Sequence, residues 1–395
     1  MKTLGYVLSD FPVLSETFVG TEIRAMEALG YQVKPFAFNI NYEGGQPVDK
    51  PLLDKAVALS TVNNLRAIAI WLRNPLRSVK ALSFILRQNG LPKKSLIRSA
   101  GQLAQITLAH KCDHLHAHFA LHTAATAIAA SKLSGCQVSF VGHGYDVYAR
   151  PADLALKLES SDFSVCVCED MCDQFLELAP NHRVHIVECG IELSRYPFHP
   201  RRQHNGRLLF VGRLTEKKGL VDLLQAIALL PDDERPMLDL VGDGEQKSLL
   251  IALAIQLGIH NQVHFLGSRP SEWIIDNAAH YLALCTPFCE ARDGDRDTGP
   301  VVVKEAMALG LPVICSNFMG CKEMIVNGTG LLVPPNDPQS LAAAIVSTYS
   351  MSTQQRMAQL EKARTRVTRL YSARTSAKKL ATAIEGSYCF EEATL

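Results

Sequence analysis

Two basic side chains flank a predicted turn between a strand and a helix in the second half of the chain. Arg213 follows an apolar run at 207–211, and Lys218 precedes an apolar helical stretch that begins near Leu220. A guanidinium and an ammonium group beside a helix N-terminus favour an anion, because their charges add to the free N–H groups of the first turn. The pattern therefore predicts a binding site for a diphosphate.

Neighbouring segments add glycines and carboxylates where such a ligand would lie. Gly242 and Asp243 follow an apolar strand, and glycine there allows a tight turn into the next helix. An acidic loop at 293–300 precedes another helix, which carries Glu305 eight positions after Asp297. The other interpretation of the basic pair and of Glu305 is that they form only surface ion pairs.

Short apolar strands alternate with amphipathic helical stretches along the whole chain. This alternation is typical of parallel sheets built from β-α-β units, so we expect an α/β fold. A helix is predicted from Glu16 to Leu29, with Ser15 as its N-cap and Gly30 ending it. The predicted strands lie at 4–8, 33–37, 114–116, 137–141, 163–168 and 184–187, and then at 207–211, 237–241, 263–266, 281–285, 313–315 and 330–333.

The length favours two domains, because 395 residues are more than one hydrophobic core usually holds. A Pro-bearing polar stretch at 195–206 is the natural boundary. We expect a first domain over 1–194, a second over 195–370 and a final segment over 371–395 with a helix at 373–385. Ligands of open α/β sheets bind at the carboxyl ends of strands, so two such domains facing each other would form a central cleft.

Charge is nearly balanced overall but uneven along the chain. The 40 Lys and Arg against 39 Asp and Glu give a net charge of +1, which provides no general attraction to nucleic acid. Between Lys55 and Cys112, however, there are ten basic residues and no acidic one. Within this stretch, an amphipathic helical segment at about 62–98 combines basic residues with Leu, Ile, Trp and Phe, which suits an anionic membrane surface. The alternative is a soluble helical insertion with a solvated basic face.

No signal peptide and no membrane-spanning run is recognised in the sequence. We therefore expect a cytoplasmic protein, and the basic segment predicts peripheral association with the inner face of the plasma membrane.

Three groups of residues have the composition of a metal site without its full pattern. Cys166, Cys168 and Cys172 lack a second pair that would complete four zinc ligands. The acidic loop at 293–300 begins like a calcium loop but lacks the Gly and Glu that an EF-hand needs at its sixth and twelfth positions. Strand spacing puts three of four nearby histidines on one face, and we predict that all four are structural or line a substrate: His114, His116, His118 and His122.

Four ordered blocks of sequence carry the most specific signal. They are FPVLSETF at 11–18, CGIE at 189–192, DTGPVVVKEAMALGLPV at 297–313 and LLVPPND at 331–337. Together they resemble retaining glycosyltransferase family 4. The resemblance implies the GT-B fold, in which two Rossmann-like domains face a central cleft and the C-terminal helix crosses back to the first domain. The first block, FPVLSETF, is similar to the corresponding sequence in the branch of the family that builds bacterial exopolysaccharide, which includes colanic-acid-type enzymes.

The resemblance implies roles for individual residues. Arg213 and Lys218 would neutralise the diphosphate of a nucleotide-sugar donor. Asp297 would hold hydroxyl groups of the sugar, and Glu305 would accept hydrogen bonds from the ribose. In the first domain, His143 would face the transferred sugar. The other donor-binding residues would be Gly242, Asp243, Leu266, Gly267, Gly299, Pro300 and Val301.

Two departures from the family pattern bear on these roles. Asp297 is one methylene shorter than the family's usual Glu, which leaves Asp295 and Glu290 as alternatives for its role. The frequent Gly-rich loop after the first strand is replaced by LSET at 14–17. The family pattern therefore predicts no particular contact between the first domain and the donor phosphates.

The activity implied by the resemblance is retaining transfer of a hexose from a UDP- or GDP-linked sugar, with no metal and no cofactor. The acceptor would be a glycan on polyprenyl diphosphate, because the basic segment favours a lipid surface. Two alternatives stay open. One is a non-hydrolysing sugar-nucleotide epimerase, which shares the two-domain architecture, and the other is an inactive membrane-associated scaffold that binds nucleotide sugars.

Overall fold

Two parallel β-sheets organise the computed structural model, which describes residues 2–201 and 203–386. The chain divides into two compact units. The first runs from the N-terminus to Gly190 and resumes at Ala373, and the second is Ile191–Ser372. The predicted boundaries, at 194 and 370, differ from these by four and two residues.

The first unit contains a seven-stranded sheet whose central strands are buried along most of their length, as expected for parallel strands covered on both faces. The strands are β1 (Thr3–Phe11), β2 (Gln32–Ile40), β3 (Val57–Ala58), β4 (His114–His118), β5 (Gln137–Val141), β6 (Phe163–Cys166) and β7 (Val184–Ile186). They pair in parallel in the order β3-β2-β1-β4-β5-β6-β7. The six strands predicted for this half are present. The short β3 was not predicted, because two residues carry no periodic signal.

Helices cover this sheet. In chain order they are α1 (Thr17–Ala28), α2 (Lys50–Leu53), α3 (Asn64–Arg73), α4 (Pro75–Arg87), α5 (Lys93–Ala109), α6 (His122–Ser134), α7 (Leu154–Ser160) and α8 (Glu169–Leu178). The prediction of Ser15 as the N-cap of α1 is wrong, because Glu16 holds that position and its side chain makes no capping hydrogen bond. Ser15 lies one residue too early for its hydroxyl to occupy the cap.

The basic segment forms α3, α4 and the start of α5. Asn63 and Asn74 cap the first two helices, each side chain accepting a hydrogen bond from the backbone N–H three residues later. The two aromatic residues of α3 and α4 pack on other parts of the unit. Phe84 is buried within the unit, and Trp71 is half-buried, with its indole N–H donating to the Ile97 carbonyl at 3.3 Å.

Other apolar side chains of α3 and α4 remain exposed. They form what we call the leucine stripe: Leu65, Ile68, Leu72, Leu76, Val79 and Leu86. None of the described helices is long and apolar enough to span a membrane. The leucine stripe is aliphatic, and it lies along two short helices.

The second unit repeats the α/β pattern with a six-stranded sheet. Its strands are β8 (Leu208–Val211), β9 (Leu238–Val241), β10 (Val263–Gly267), β11 (Ala283–Thr286), β12 (Val313–Ser316) and β13 (Leu331–Val333). They pair in parallel in the order β10-β9-β8-β11-β12-β13. Its helices are α9 (Leu220–Ala228), α10 (Lys247–Gln256), α11 (Ser271–Asn277), α12 (Val301–Leu309), α13 (Cys321–Met324), α14 (Pro338–Tyr349) and α15 (Thr353–Leu370). The six strands predicted for this half are present.

The last described helix, α16 (Ala373–Glu385), returns the chain to the first unit. Its Lys379 ammonium contacts the Glu188 carboxylate at 2.6 Å, and the Tyr31 hydroxyl donates to Glu385 at 2.5 Å. A Cβ on Gly190 would lie 2.6 Å from the Cα of Ala373. The residue at which the chain leaves the first unit therefore lies directly against the residue at which it returns.

A pair of glycine variants should measure how tightly the second unit packs at the start of α9. Gly219 and Gly258 have left-handed φ angles of 66° and 70°, so alanine strains the backbone at both by about 1–2 kcal/mol. A Cβ on Gly219 would lie only 1.8 Å from the Pro287 carbonyl oxygen, whereas a Cβ on Gly258 meets no atom within 4 Å. We expect Gly219→Ala to lower the thermal and urea unfolding midpoints clearly more than Gly258→Ala. Equal losses in the two variants would contradict the close approach of Gly219 to Pro287.

Candidate active site

Three strand ends of the second unit lie side by side, and main chain packs on main chain there. The N–H of Gly212, after β8, donates to the Val241 carbonyl at 2.9 Å, and the N–H of Gly242, after β9, donates to Gly267 at 3.0 Å. The φ of Gly242 is 140°, and a Cβ on it would lie 1.8 Å from the Gly212 carbonyl oxygen. Glycine is therefore required at 242 by both conformation and space.

Lys218 places its ammonium group over these strand ends. A Cβ on Gly212 would lie 3.6 Å from Lys218 Nζ. The same ammonium forms an ion pair with the Asp297 carboxylate and lies 4.9 Å from the centroid of the Phe288 ring. Both partners of this ion pair are mostly buried, with 13% and 16% of their side-chain surface exposed. Lys218 is thus fixed by an anion, an aromatic face and the glycine backbone.

Cations surround the Asp297 carboxylate. Burial alone would raise the pKa of Asp297, but the charges of Lys218, Lys217 and Arg213 outweigh burial and hold the pKa below its usual range. Arg213 is exposed and contributes to this field. The structure therefore brings together the predicted residues Arg213, Lys218 and Asp297.

The two alternatives to Asp297 have other partners. Asp295 contacts the Lys217 ammonium at 2.8 Å, and Glu290 contacts the Arg296 guanidinium at 2.8 Å. Asp295, Asp297 and Glu290 therefore each have their own cation, and among the three only Asp297 contacts Lys218.

Glu305 occupies a different environment on α12. The Tyr196 hydroxyl donates a hydrogen bond to Glu305 Oε1 at 2.6 Å. Burial raises the pKa of Glu305, and this hydrogen bond and the charges of Arg195 and Lys304 offset only part of the increase. Tyr196 was not predicted as a site residue, because 109 positions separate it from Glu305 and no local motif links them.

The acidic loop that contains Asp297 leads directly into the first turn of α12. Gly299 and Pro300 precede Val301, the first residue of the helix. The first-turn N–H groups of a helix have no intrahelical acceptor, so they are available to an anion. The Thr298 carbonyl accepts a hydrogen bond from Gly320 N–H at 3.2 Å, which ties this loop to the start of α13.

The remaining predicted donor residues follow β9 and lie within β10. Asp243 is exposed and accepts a hydrogen bond from the Gly244 N–H at 2.9 Å. Leu266 is half-buried and packs against the core of the unit. Gly267 has a φ of 69°, and a Cβ on it meets no atom within 4 Å.

In the first unit, His143 lies between aromatic rings in the loop after β5. Its ring centroid is 4.8 Å from Phe18 and 4.5 Å from Phe119. The buried Asp146 carboxylate accepts a hydrogen bond from the His143 N–H at 3.0 Å and from the Ala120 N–H at 2.5 Å. Burial raises the pKa of Asp146 to about 7, although these N–H groups act in the opposite direction. The backbone position of His143 therefore depends on a buried carboxyl group.

Comparisons with known proteins identify the family of the chain. Residues 15–195 match the family model described as Glycosyltransferase Family 4, and residues 197–366 match the model described as Glycosyl transferases group 1. Together the two matches extend over both units. The chain belongs to glycosyltransferase family 4.

Relatives of this glycosyltransferase include two proteins named for exopolysaccharide synthesis. It is 25% identical over 417 aligned positions to WcaL of Escherichia coli, described as a colanic acid biosynthesis glycosyltransferase, with 97% of this chain and 99% of WcaL covered. It is 27% identical to the amylovoran biosynthesis glycosyltransferase AmsK of Erwinia amylovora, with 87% and 89% covered. The resemblance to the exopolysaccharide branch is confirmed.

Solved structures confirm the GT-B fold of the glycosyltransferase. Anabaena HepE, in its complex with UDP-glucose, aligns with a TM-score of 0.73 at 17% identity, covering 98% of this chain and all of that one. WaaG, a glycosyltransferase involved in lipopolysaccharide biosynthesis, aligns with a TM-score of 0.64 at 16% identity over the same shares.

A variant of Asp297 should show how the ion pair contributes to the stability of the glycosyltransferase. Because folding lowers the pKa of Asp297, the contribution is present above the unfolded aspartate pKa of about 3.9 and is lost as the pH falls through the folded value. We expect Asp297→Asn to lower the free energy of unfolding at pH 7 by an amount between the about 0–1 kcal/mol of exposed pairs and the about 3–5 kcal/mol of fully buried ones.

The free energy of unfolding is measured with urea at pH 7, at pH 5, and at pH 4 and lower values. Asp276→Asn, at an exposed position of α11, is the matched control and should unfold like the wild type at each pH. The wild type and Asp297→Asn should converge only below about pH 4. Convergence already at pH 5 would contradict the lowered pKa of Asp297.

Proposed function

We propose that this glycosyltransferase transfers a hexose, with retention, from a UDP- or GDP-linked sugar to a glycan carried on polyprenyl diphosphate. The product would contribute to a bacterial exopolysaccharide, capsule or related surface polysaccharide. The observation that carries the proposal is the cluster of Arg213, Lys218 and Asp297 beside the glycine-lined ends of β8, β9 and β10.

Positive charge at this cluster suits the departing nucleoside diphosphate. Lys218 and Arg213 would take up the charge that develops on the diphosphate when its bond to the anomeric carbon breaks. The N-terminus of α12, beside Gly299 and Pro300, would add N–H donors to the phosphate oxygens. With these donors in place, the proposed diphosphate site uses no divalent metal ion and no cofactor.

Two carboxylates, Asp297 of the cluster and Glu305 of α12, would hold the sugar and the ribose. Asp297 would accept hydrogen bonds from hydroxyl groups of the hexose, while Lys218 keeps it ionised. Glu305 would accept hydrogen bonds from the ribose. Tyr196 orients the Glu305 carboxylate by donating a hydrogen bond to one of its oxygen atoms. Gly242, Asp243, Leu266, Gly267 and Val301 would complete the donor site.

Retention would follow from attack on the face that the diphosphate leaves. The acceptor oxygen would bond to the anomeric carbon as the bond to the phosphate oxygen breaks, and the acceptor proton would pass to that phosphate. No carboxylate acts as a nucleophile in this scheme. His143 would contact the transferred hexose, with Asp146 as the residue that positions it.

The names of relatives and neighbours support this proposal. WcaL and AmsK are named for colanic acid and amylovoran biosynthesis, and Anabaena HepE was crystallised with UDP-glucose. UDP-hexoses are therefore the first donors to test, followed by GDP-hexoses.

A donor panel tests the second-unit site. UDP, GDP and their common hexose conjugates are titrated against the wild type, Glu305→Ala and the control Glu361→Ala, whose side chain is exposed on α15. We expect one nucleotide family to raise the melting temperature of the wild type and of the control but not of Glu305→Ala, because only Glu305 would bind the ribose. No stabilisation by any nucleotide would contradict the proposed site.

The same panel separates the alternative functions when products are analysed. Interconversion of the free nucleotide sugar without an acceptor would favour an epimerase. Binding without turnover, in the presence of a polyprenyl-diphosphate-linked acceptor, would favour a scaffold. Release of nucleoside diphosphate that depends on the acceptor supports the transferase.

The leucine stripe supports a membrane location at the inner face of the plasma membrane. Leu65, Leu72 and Leu76 are 79%, 76% and 79% exposed, which is unusual for a group of neighbouring apolar side chains. Exposed basic residues, including Arg66 and Lys80, lie on the same helices, and the stretch from 55 to 112 has no acidic residue. An apolar face flanked by positive charge matches an anionic lipid surface.

Vesicle sedimentation tests this location. We expect the wild type to bind phosphatidylglycerol vesicles and not phosphatidylcholine vesicles, and Leu72→Ser with Leu76→Ser to weaken this binding at least tenfold. The control exchanges two exposed apolar residues of α10, Leu249 and Ile255, for serine and should bind as the wild type does. Retention of binding by the stripe variant, or a stripe-dependent dimer without lipid binding, would contradict the membrane proposal.

A further inference from the structure

Three side chains of the first unit converge between α1 and β4. His116 and His118 lie two residues apart on β4, so both point to the same face of the sheet, and Glu22 on α1 reaches them. Glu22 Oε1 lies 3.5 Å from His118 Nε2 and 3.7 Å from His116 Nε2. One ligand atom from each residue lies within 4.8 Å of the other two.

Hydrogen bonds of normal length do not account for this cluster. Both imidazole rings are almost fully buried, yet His116 Nε2 and both ring nitrogens of His118 have no hydrogen-bond partner among the described residues. The distances to Glu22 exceed those of normal N–H···O hydrogen bonds. Glu22 Oε1 already accepts a bond from the Tyr6 hydroxyl at 2.8 Å. Buried polar nitrogens are nearly always paired, so the two Nε2 atoms, which meet the Glu22 carboxylate only at long ion-pair distances, require another explanation.

The spacing instead fits a metal ion. Zinc binds His nitrogen and carboxylate oxygen at about 2.0–2.2 Å, and a tetrahedral site therefore places its ligand atoms about 3.3 Å apart. The observed separations of 3.5 and 3.7 Å from Glu22 differ from this by only a few tenths of an ångström. All three ligand atoms lie within 4.8 Å of one another, so side-chain rotation has to close the remaining separation before they bond to one ion.

The surroundings orient the ligands as metal sites require. His116 Nδ1 is hydrogen-bonded to the Ser139 hydroxyl at 2.8 Å, which directs Nε2 toward Glu22. Metal-binding histidines commonly use their second nitrogen in this way. Tyr6 supports the carboxylate through its own hydrogen bond. Among the described residues, this is the one group of three His, Cys, Asp or Glu side chains close enough to share an ion.

We propose that Glu22, His116 and His118 bind a divalent transition-metal ion of the zinc type, with a water molecule as the fourth ligand. Two imidazoles and one carboxylate suit zinc rather than magnesium or calcium. The ion joins α1 to β4 and stabilises the first unit. It has no part in binding the donor diphosphate, whose proposed ligands belong to the second unit, and it replaces the structural or substrate-lining role expected for His116 and His118.

Metal titration of the full chain tests the proposal. Protein freed of metal by chelation is titrated with Zn²⁺ and Co²⁺. We expect one equivalent to bind, a rise in melting temperature, and, for Co²⁺, the intense visible absorption of a tetrahedral site. Glu22→Gln and His118→Gln should each weaken binding more than tenfold. His122→Gln, a histidine of the same unit outside the cluster, should bind as the wild type does.

Circular dichroism identifies variants that fail to fold. Should both cluster variants fail, X-ray absorption at the zinc edge of the wild type decides the matter, since it reports whether the ligands are imidazole and oxygen or the sulfur of cysteine. Absence of a one-equivalent site, unchanged affinity in folded Glu22→Gln and His118→Gln, or sulfur ligation would overturn the proposal.

Discussion

Main chain packs on main chain at the carboxyl ends of β8, β9 and β10, and the rest of the candidate active site is arranged around this contact. Gly242 approaches the Gly212 carbonyl so closely that no side chain fits on Gly242. The Lys218 ammonium lies over Gly212. With side chains absent from the floor of the site, a ligand can approach the backbone directly. The charged groups are then supplied from the edges, by the turn before α9 and by the acidic loop before α12.

Two carboxylates of this site are held in opposite electrostatic environments. Cations lower the pKa of Asp297, whereas burial raises that of Glu305 beside the neutral Tyr196 hydroxyl. Residues of the same chemical type thus acquire different properties from their neighbours. Under the proposed function, the hexose would meet the strongly ionised Asp297 beside the cations, and the ribose would meet the weaker acid Glu305.

Much of the fold could be predicted from sequence because its strands are short apolar runs separated by amphipathic helices. Strands such as β5 and β12 have enough periodic signal to be located within a residue or two. The prediction of Ser15 as a cap was wrong because a polar residue near a helix start does not specify which backbone position it takes. The burial of Phe84 could not be predicted, since periodicity identifies an apolar face but not whether protein or solvent covers it.

The site could be predicted only in part, for a similar reason. Arg213, Lys218 and Asp297 were found through motifs, and they come together because parallel strands end at the same edge of the sheet. The contact of Tyr196 with Glu305 joins segments far apart in the sequence and has no local signature. The same holds for Glu22, which meets His116 and His118 only because α1 packs on β4.

The return of α16 to the first unit determines the order in which the molecule can be completed during synthesis. The second unit is one uninterrupted stretch, Ile191–Ser372, whose ends are joined by the hydrogen bond from the Ile191 N–H to the Tyr371 carbonyl. It can therefore finish folding as soon as that stretch has left the ribosome. The first unit, although translated first, must wait for residues 373–386, so its surface under α16 stays uncovered until those residues have been translated.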